Sequence, residues 1–154
     1  MNTNFDNFKY LFNTINDFLF ILDLNENIIE VNNAVNLYLG YEKEELYGKN
    51  ALIVHPPEYR DEAKKILEKM IAGKTEKCSM PLMSKKGIYI PVETIAKKGK
   101  WNNEDAYIGI SRNLSEVAIS EEKFSKVFEN SQTMMAISDI KTGIFINVNK
   151  MFLN

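Results

Sequence analysis

The sequence predicts an α+β fold: a five-stranded antiparallel sheet with helices gathered on one face, flanked by an N-terminal and a C-terminal helix. Three observations predict it. Strand-like text comes in two groups, one of two segments and one of three, each punctuated by turn residues. Between the groups the pattern turns helical, ending in one longer amphipathic stretch. Apolar residues at helical spacing also open the chain and follow its last strand. At 154 residues there is enough chain for one good core, not two.

Taken in order, Phe5, Phe8, Leu11, Phe12 and Ile15 recur at helical spacing, with Thr3 or Asn4 placed to cap the start. Phe18 to Asp23 reads as a strand, Asn25-Glu26-Asn27 as a turn and Ile28 to Val31 as the returning strand of a hairpin. Asn33 to Tyr47 is a run of short helical pieces punctuated by Gly40 and Gly48. Pro56-Pro57 stops anything helical before it, and a longer helix follows over about 58–72. Ala63, Ile66, Leu67, Met70 and Ile71 are its apolar stripe, and Gly73 is its stop. Thr75 to Ser84 reads as a strand, Lys85-Lys86-Gly87 as a tight turn and Ile88 to Lys98 as a second strand. Pro91 makes that strand an edge or a bulged one, because proline brings no N–H to the ladder. A polar loop over 102–105 leads to the last strand, Ala106 to Asn113, and helical patterning resumes from Ser115 to about Phe128.

The opening then repeats. Phe124, Phe128 and Asp139 align with Phe8, Phe12 and Asp23 at one offset; after one extra turn residue, Asn149 aligns with Asn32. A repeat of this spacing points to an array of domain-sized modules of which only the first is complete here. The chain is therefore read as part of a longer protein: a capping helix over 1–16, a full domain over 17–117, a linker helix over 118–133 and the truncated start of a second domain over 134–154. That last piece is expected to be mobile or to borrow contacts.

Composition narrows the function. Hydrophobic residues make up 45% and charged residues 26%, with a formal net charge of -2, so the basic surplus that nucleic-acid binding needs is absent. The longest apolar run, Phe18 to Leu22, is far short of a membrane span, and the N-terminus lacks the pattern of a secretory signal. One cysteine, Cys78, fits a reducing compartment. The expectation is a cytoplasmic protein with no nucleic-acid partner and no direct membrane contact.

Five segments in this order resemble a PAS domain. They are Asp23 to Asn32 in the first hairpin, Leu39 to Gly48 in the short helices, Val54-His55-Pro56-Pro57, Lys86 to Glu93 in the second hairpin, and Arg112-Asn113-Leu114-Ser115-Glu116, which is similar to the family's exit motif Asp-Ile-Thr-Glu. The resemblance covers about 17–117. It implies a sensory input module of a multi-domain signalling protein such as a sensor histidine kinase, which senses a small ligand or relays a signal through its flanking helices to an adjacent PAS or effector domain. The alternative is a ligand-free dimerisation and relay module of a diguanylate cyclase or transcription regulator, acting as a homodimer.

A curved sheet facing one helix leaves a concave side for a ligand. Its expected lining is Leu52 and Val54 before the helix, Ile66 and Met70 on the helix stripe, and Cys78, Met80 and Leu82 at alternate strand positions, with one face each of the last two strands. The ligand itself stays unknown, but two cofactors are argued down. The light-sensing flavin members use Gly-x-Asn-Cys-Arg, whereas this chain reads Gly48-Lys49-Asn50-Ala51-Leu52, with alanine in place of the reactive cysteine. Haem-binding members carry their histidine on the long helix, whereas His55, the only histidine, precedes it and is read as structural. Trp101, a weak hint of non-covalent flavin, is likewise read as structural. One histidine and one cysteine do not make a zinc site, and no phosphate loop or nucleophile elbow is present, so no metal and no catalysis are expected of this chain. Asn113, Ser115 and Glu116 form the signal exit, where an Asn or Ser side chain holds the first free N–H groups of the outgoing helix.

Overall fold

The structure, a computed structural model, describes residues 3–153, with side chains from residue 6. The expected cap at Thr3 or Asn4 and the apolar role of Phe5 lie outside the described residues. The chain forms two compact units, Met1–Ser115 and Glu116–Asn154.

In the first unit, helix α1 (Thr3–Thr14) precedes strands β1 (Phe18–Leu22) and β2 (Ile28–Val31). Asp23 shapes the hairpin turn: one carboxylate oxygen accepts the N–H groups of Asn25 at 2.8 Å and Asn27 at 2.9 Å. Glu26 turns the corner at φ 66°. A π-helical turn (Val35–Leu39), helix α2 (Lys43–Leu46) and two 3-10 turns lead to helix α3 (Arg60–Ile71). Gly73, at φ 71°, ends α3 by donating back to the carbonyl of Met70. Strands β3 (Leu82–Met83), β4 (Tyr89–Ile90), β5 (Val92–Trp101) and β6 (Glu104–Asn113) complete the unit.

The main sheet has four strands in the order β2-β1-β6-β5, all antiparallel, not the five expected; β3 and β4 pair apart from it. Two prolines explain the difference. Pro81 brings no N–H where the strand Thr75 to Ser84 was expected, leaving β3 and a single bridge between Cys78 and Thr94. Pro91 separates β4 from β5, which is the edge strand its presence predicts. The expected loop over 102–105 is tighter than a loop: Asn102 and Asn103, at φ 50° and 67°, form a two-residue hairpin turn, so that β5 and β6 run through to Trp101 and Glu104.

Strand β1 is flanked on both sides and buried along its whole length. Its side chains alternate between two cores. Phe18, Phe20 and Leu22 face one that includes Ile28, Val35, Leu39, Leu46, Val54, Leu82 and Val92. Leu19 and Ile21 face the other, where Phe12 of α1 and Ala106 meet them. The helical segments between β2 and β3 thus pack on one face of the sheet, and the flanking helix α1 caps the other through Phe12, as its reading as a capping helix expects. Of the apolar stripe on α1, among the described residues, only Phe12 is buried; Phe8 stacks on it at 6.1 Å, and both rings contact Trp101, at 5.5 and 5.4 Å. Trp101 has the structural role expected of it.

In the second unit, helix α4 (Ser115–Asn130), whose first residue closes the first unit, precedes strands β7 (Ala136–Ser138) and β8 (Phe145–Val148) and helix α5 (Lys150–Leu153). The hairpin copies β1–β2: Ile137 pairs with Asn147 as Ile21 pairs with Glu30, and the register slips at the next residue in both. Phe124 and Phe128 stack at 5.5 Å as Phe8 and Phe12 do. Among the described residues no helix is long and apolar enough to cross a membrane.

Candidate functional site

A cavity of about 60 Å³ lies between α3 and the sheet. Strand alternation builds it. Every second residue of β1, β5 and β6 faces α3, which places Phe20, Leu22, Thr94, Ala96, Gly109 and Ser111 on its wall. The helix contributes Ala63, Leu67 and Met70, spaced three or four apart as one helical face requires. The space exists because small residues stand where large ones would fill it: Ala51, Ala63, Ala96 and Gly109. A Cβ added to Gly109 would meet only the carbonyl oxygen and Cβ of Phe20, at 3.7 and 3.8 Å, which is ordinary contact, so this glycine leaves room and does not relieve a clash. A wider depression of 660 Å³ beside Asn25, Lys49 and Lys64 is shallow open surface and encloses nothing.

Of the seven lining residues expected from the sequence, Leu52, Val54, Met70, Cys78 and Leu82 line the cavity. Ile66 and Met80 do not; they pack behind it, against the cluster of Met70, Cys78 and Ala96. Sequence reasoning missed the polar part of the wall. The hydroxyls of Thr94 and Ser111 hydrogen-bond at 2.7 Å, set opposite each other by the β5–β6 register, in which these two residues pair directly. His55 also reaches the wall, its Nδ1 2.9 Å from the carbonyl oxygen of Pro81. Thr94 could have been found from its place on the apolar face that Ile90 and Val92 define; His55 carries no such signal.

The titratable groups of the wall are both pushed toward neutrality. Burial lowers the His55 pKa, and the guanidinium of Arg60 adds to this, against the hydrogen bond with Pro81. Burial raises that of the Cys78 thiol, and the carboxylate of Glu62 adds to it, against a backbone hydrogen bond at Met80. No Asp, Glu, Lys or Arg side chain lines the cavity. Cys78 is the small buried hydrophobe expected, fixed through its backbone by two 2.8 Å hydrogen bonds with Thr94.

The exit lies at the far end of the same strand. Asn113 accepts the N–H of Ser115 through its side-chain oxygen at 2.9 Å, capping α4, and the N–H of Leu114 donates to the carbonyl of Pro91 at 2.9 Å. The cap is thus Asn113, with Ser115 taking part through its N–H; Glu116 is exposed in the first turn. Because Ser111 and Asn113 are two residues apart on β6, they share a face of the sheet.

Comparison with known proteins agrees with this architecture. The family model of the PAS fold matches residues 6–108. A PAS domain from Desulfitobacterium hafniense is 33% identical, with a TM-score of 0.59 over 66% of this chain and 96% of that one. A domain of a sensory box sensor histidine kinase/response regulator from Geobacter sulfurreducens is 21% identical, with a TM-score of 0.58 over 71% of this chain and 93% of that one, a likeness of fold. The methyl sulfide methyltransferase-associated sensor of Methanosarcina acetivorans is 28% identical over 110 residues, which are 71% of this chain and 11% of that much longer protein. With its family model matched over more than half its length, on the sheet and helices that enclose the cavity, the chain belongs to the PAS family.

Proposed function

We propose that the chain is a cytoplasmic input module of a multi-domain sensor histidine kinase, in which residues 17–117 form the sensing PAS domain, α4 carries its state onward, and residues 134–154 open a second PAS domain. One observation carries this reading: Ser111, in the cavity wall, and Asn113, which caps α4, lie on one strand face two residues apart. A change in how the cavity is filled moves β6, and β6 holds the first turn of α4. The repeated hairpin register supports the tandem arrangement. The sensor and histidine-kinase names of similar proteins support the setting.

A cavity-filling substitution tests the coupling without knowledge of the ligand. Gly109→Ala places a methyl group where a guest would sit, at no steric cost. Hydrogen exchange at the amides of 115–120 is expected to change at least threefold in this variant while the domain stays folded. Exchange there that matches the unsubstituted chain would overturn the reading.

The exposed apolar residues Tyr10 and Leu11 of α1, with Ile15 just after it, favour a second reading, a dimerisation and relay module. A molecular mass that doubles with concentration, together with unchanged exchange in Gly109→Ala, would favour it.

A further inference from the structure

We infer that the cavity between α3 and the sheet takes a small neutral molecule of about two or three non-hydrogen atoms that carries a hydrogen-bond acceptor, such as ethanol, dimethyl ether or acetonitrile. The inference rests on the sensing role proposed above and gives that site its ligand class.

Three observations set the class. Size is the first. A cavity of about 150 Å³ lined by apolar groups holds benzene, with its six heavy atoms, so 60 Å³ holds about two or three. A haem or a flavin is larger than this space by an order of magnitude.

Charge is the second. With no acidic or basic side chain on the wall, an ionised guest would find no counter-ion there. The two titratable groups there are both driven toward their uncharged forms by burial.

Hydrogen bonding is the third. Two hydroxyls carry two O–H donors, and the 2.7 Å bond between Thr94 and Ser111 uses one of them. Neither hydroxyl makes any further hydrogen bond among the described residues; Ser111 is nearly fully buried and Thr94 half-buried, and both line the cavity, so the other O–H is free to meet a guest there. A guest that accepts a hydrogen bond satisfies it; a purely apolar guest does not.

The ligand's size also sets its affinity. At the ceiling reached by the best very small ligands, three atoms bind no tighter than about half a millimolar. Binding must therefore be sought at millimolar concentration.

The test is methionine-methyl NMR of the whole chain, with ethanol and acetonitrile as hydrogen-bonding probes and xenon as an apolar probe of similar size. All three are expected to shift the methyl resonance of Met70 in a saturable way and to leave those of Met134 and Met151 in place. Thr94→Val combined with Ser111→Ala keeps the shape of the wall but removes both hydroxyls. It should weaken ethanol and acetonitrile fivefold to tenfold while leaving xenon within twofold, and retained xenon binding shows that the variant is folded. Gly109→Ala should abolish all three shifts.

Equal ethanol affinity with and without the hydroxyls would overturn the proposal. So would a Met70 response only to a charged or larger compound, such as benzoate or flavin mononucleotide, although the sensing role would stand. Silence from every probe, xenon included, would overturn both.

Discussion

Asn32 and Asn149 make matching hydrogen bonds in two separate hairpins. The side-chain oxygen of Asn32 accepts the N–H of Leu19 at 3.0 Å, and its amide donates to the carbonyls of Ile15 and Asp17 at 3.2 and 2.9 Å. Asn149 accepts from the N–H of Met135 and donates to the carbonyls of Phe128 and Thr133, all at 2.9 Å. Each residue also donates its own backbone N–H to the residue whose N–H it accepts, Leu19 or Met135. Both side chains are almost completely buried, at 1% and 0% exposure. Asparagine suits the position because it supplies one acceptor and two donors in a single plane, and it fastens the end of the returning strand to the backbone that enters the hairpin.

Asn32→Asp keeps the shape and loses both donors, leaving two carbonyls short of a partner beside a buried carboxylate. It is expected to cost the first unit about 3 kcal/mol, read from urea unfolding followed by Trp101 emission. Asn149→Asp is expected to speed hydrogen exchange at Met135. A loss below 1 kcal/mol in the first variant would show that the clamp is dispensable.

Phe12→Ala is expected to cost about 3 kcal/mol, because Phe12 of α1 is buried against Leu19, Ile21 and Ala106. Its ring also covers Trp101, the chain's only tryptophan, so emission should shift to the red in the folded variant. An unshifted spectrum would mean that α1 does not hold this position in solution.

Asn113→Ala removes the cap of α4 and is expected to cost about 1 kcal/mol, with faster exchange at Ser115. Asn113→Asp restores the acceptor and adds a negative charge at the helix N-terminus, where the helix dipole favours it. It should match or exceed the original chain in protection, consistent with the aspartate of the family's exit motif.

Acid should destabilise the domain through His55. Burial depresses its folded-state pKa, so between the ordinary histidine value of 6.5 and that depressed value the unfolded chain binds more protons than the folded one. The stabilising contribution is complete above pH 6.5 and is lost as the pH falls toward the folded pKa. Melting temperature measured from pH 7.5 to 5 should therefore decline, and His55→Gln should flatten the decline. A slope left unchanged by that substitution would assign it to other groups.

Much of this was legible from local pattern. The first hairpin follows from apolar runs on either side of an Asp-led turn, and α3 from its stripe of Ala63, Ile66, Leu67 and Met70. The errors came where one residue outweighs its neighbourhood: Pro81 ends a strand that composition would continue, and Asn102-Asn103 closes a turn where polarity alone suggests a loop. In the site, the apolar wall could be read by counting alternate positions. The Thr94–Ser111 pair could not, because it depends on how two strands align, and alignment is a property of the whole sheet. The wall position of His55 goes with its bond to Pro81, a contact across 26 residues of sequence.

The two-residue turn at Asn102-Asn103 also orders events in time. It joins two strands of ten residues each, so the longest ladder in the sheet closes at the lowest cost in chain entropy. The β1–β6 ladder, by contrast, must bring together the two ends of the unit. The β5–β6 ribbon is therefore expected to form early on the folding route, with β1 docking last. Asn103→Gly, which eases the left-handed backbone at that corner, should raise the refolding rate more than it lowers the unfolding rate; an effect confined to unfolding would place the ribbon late.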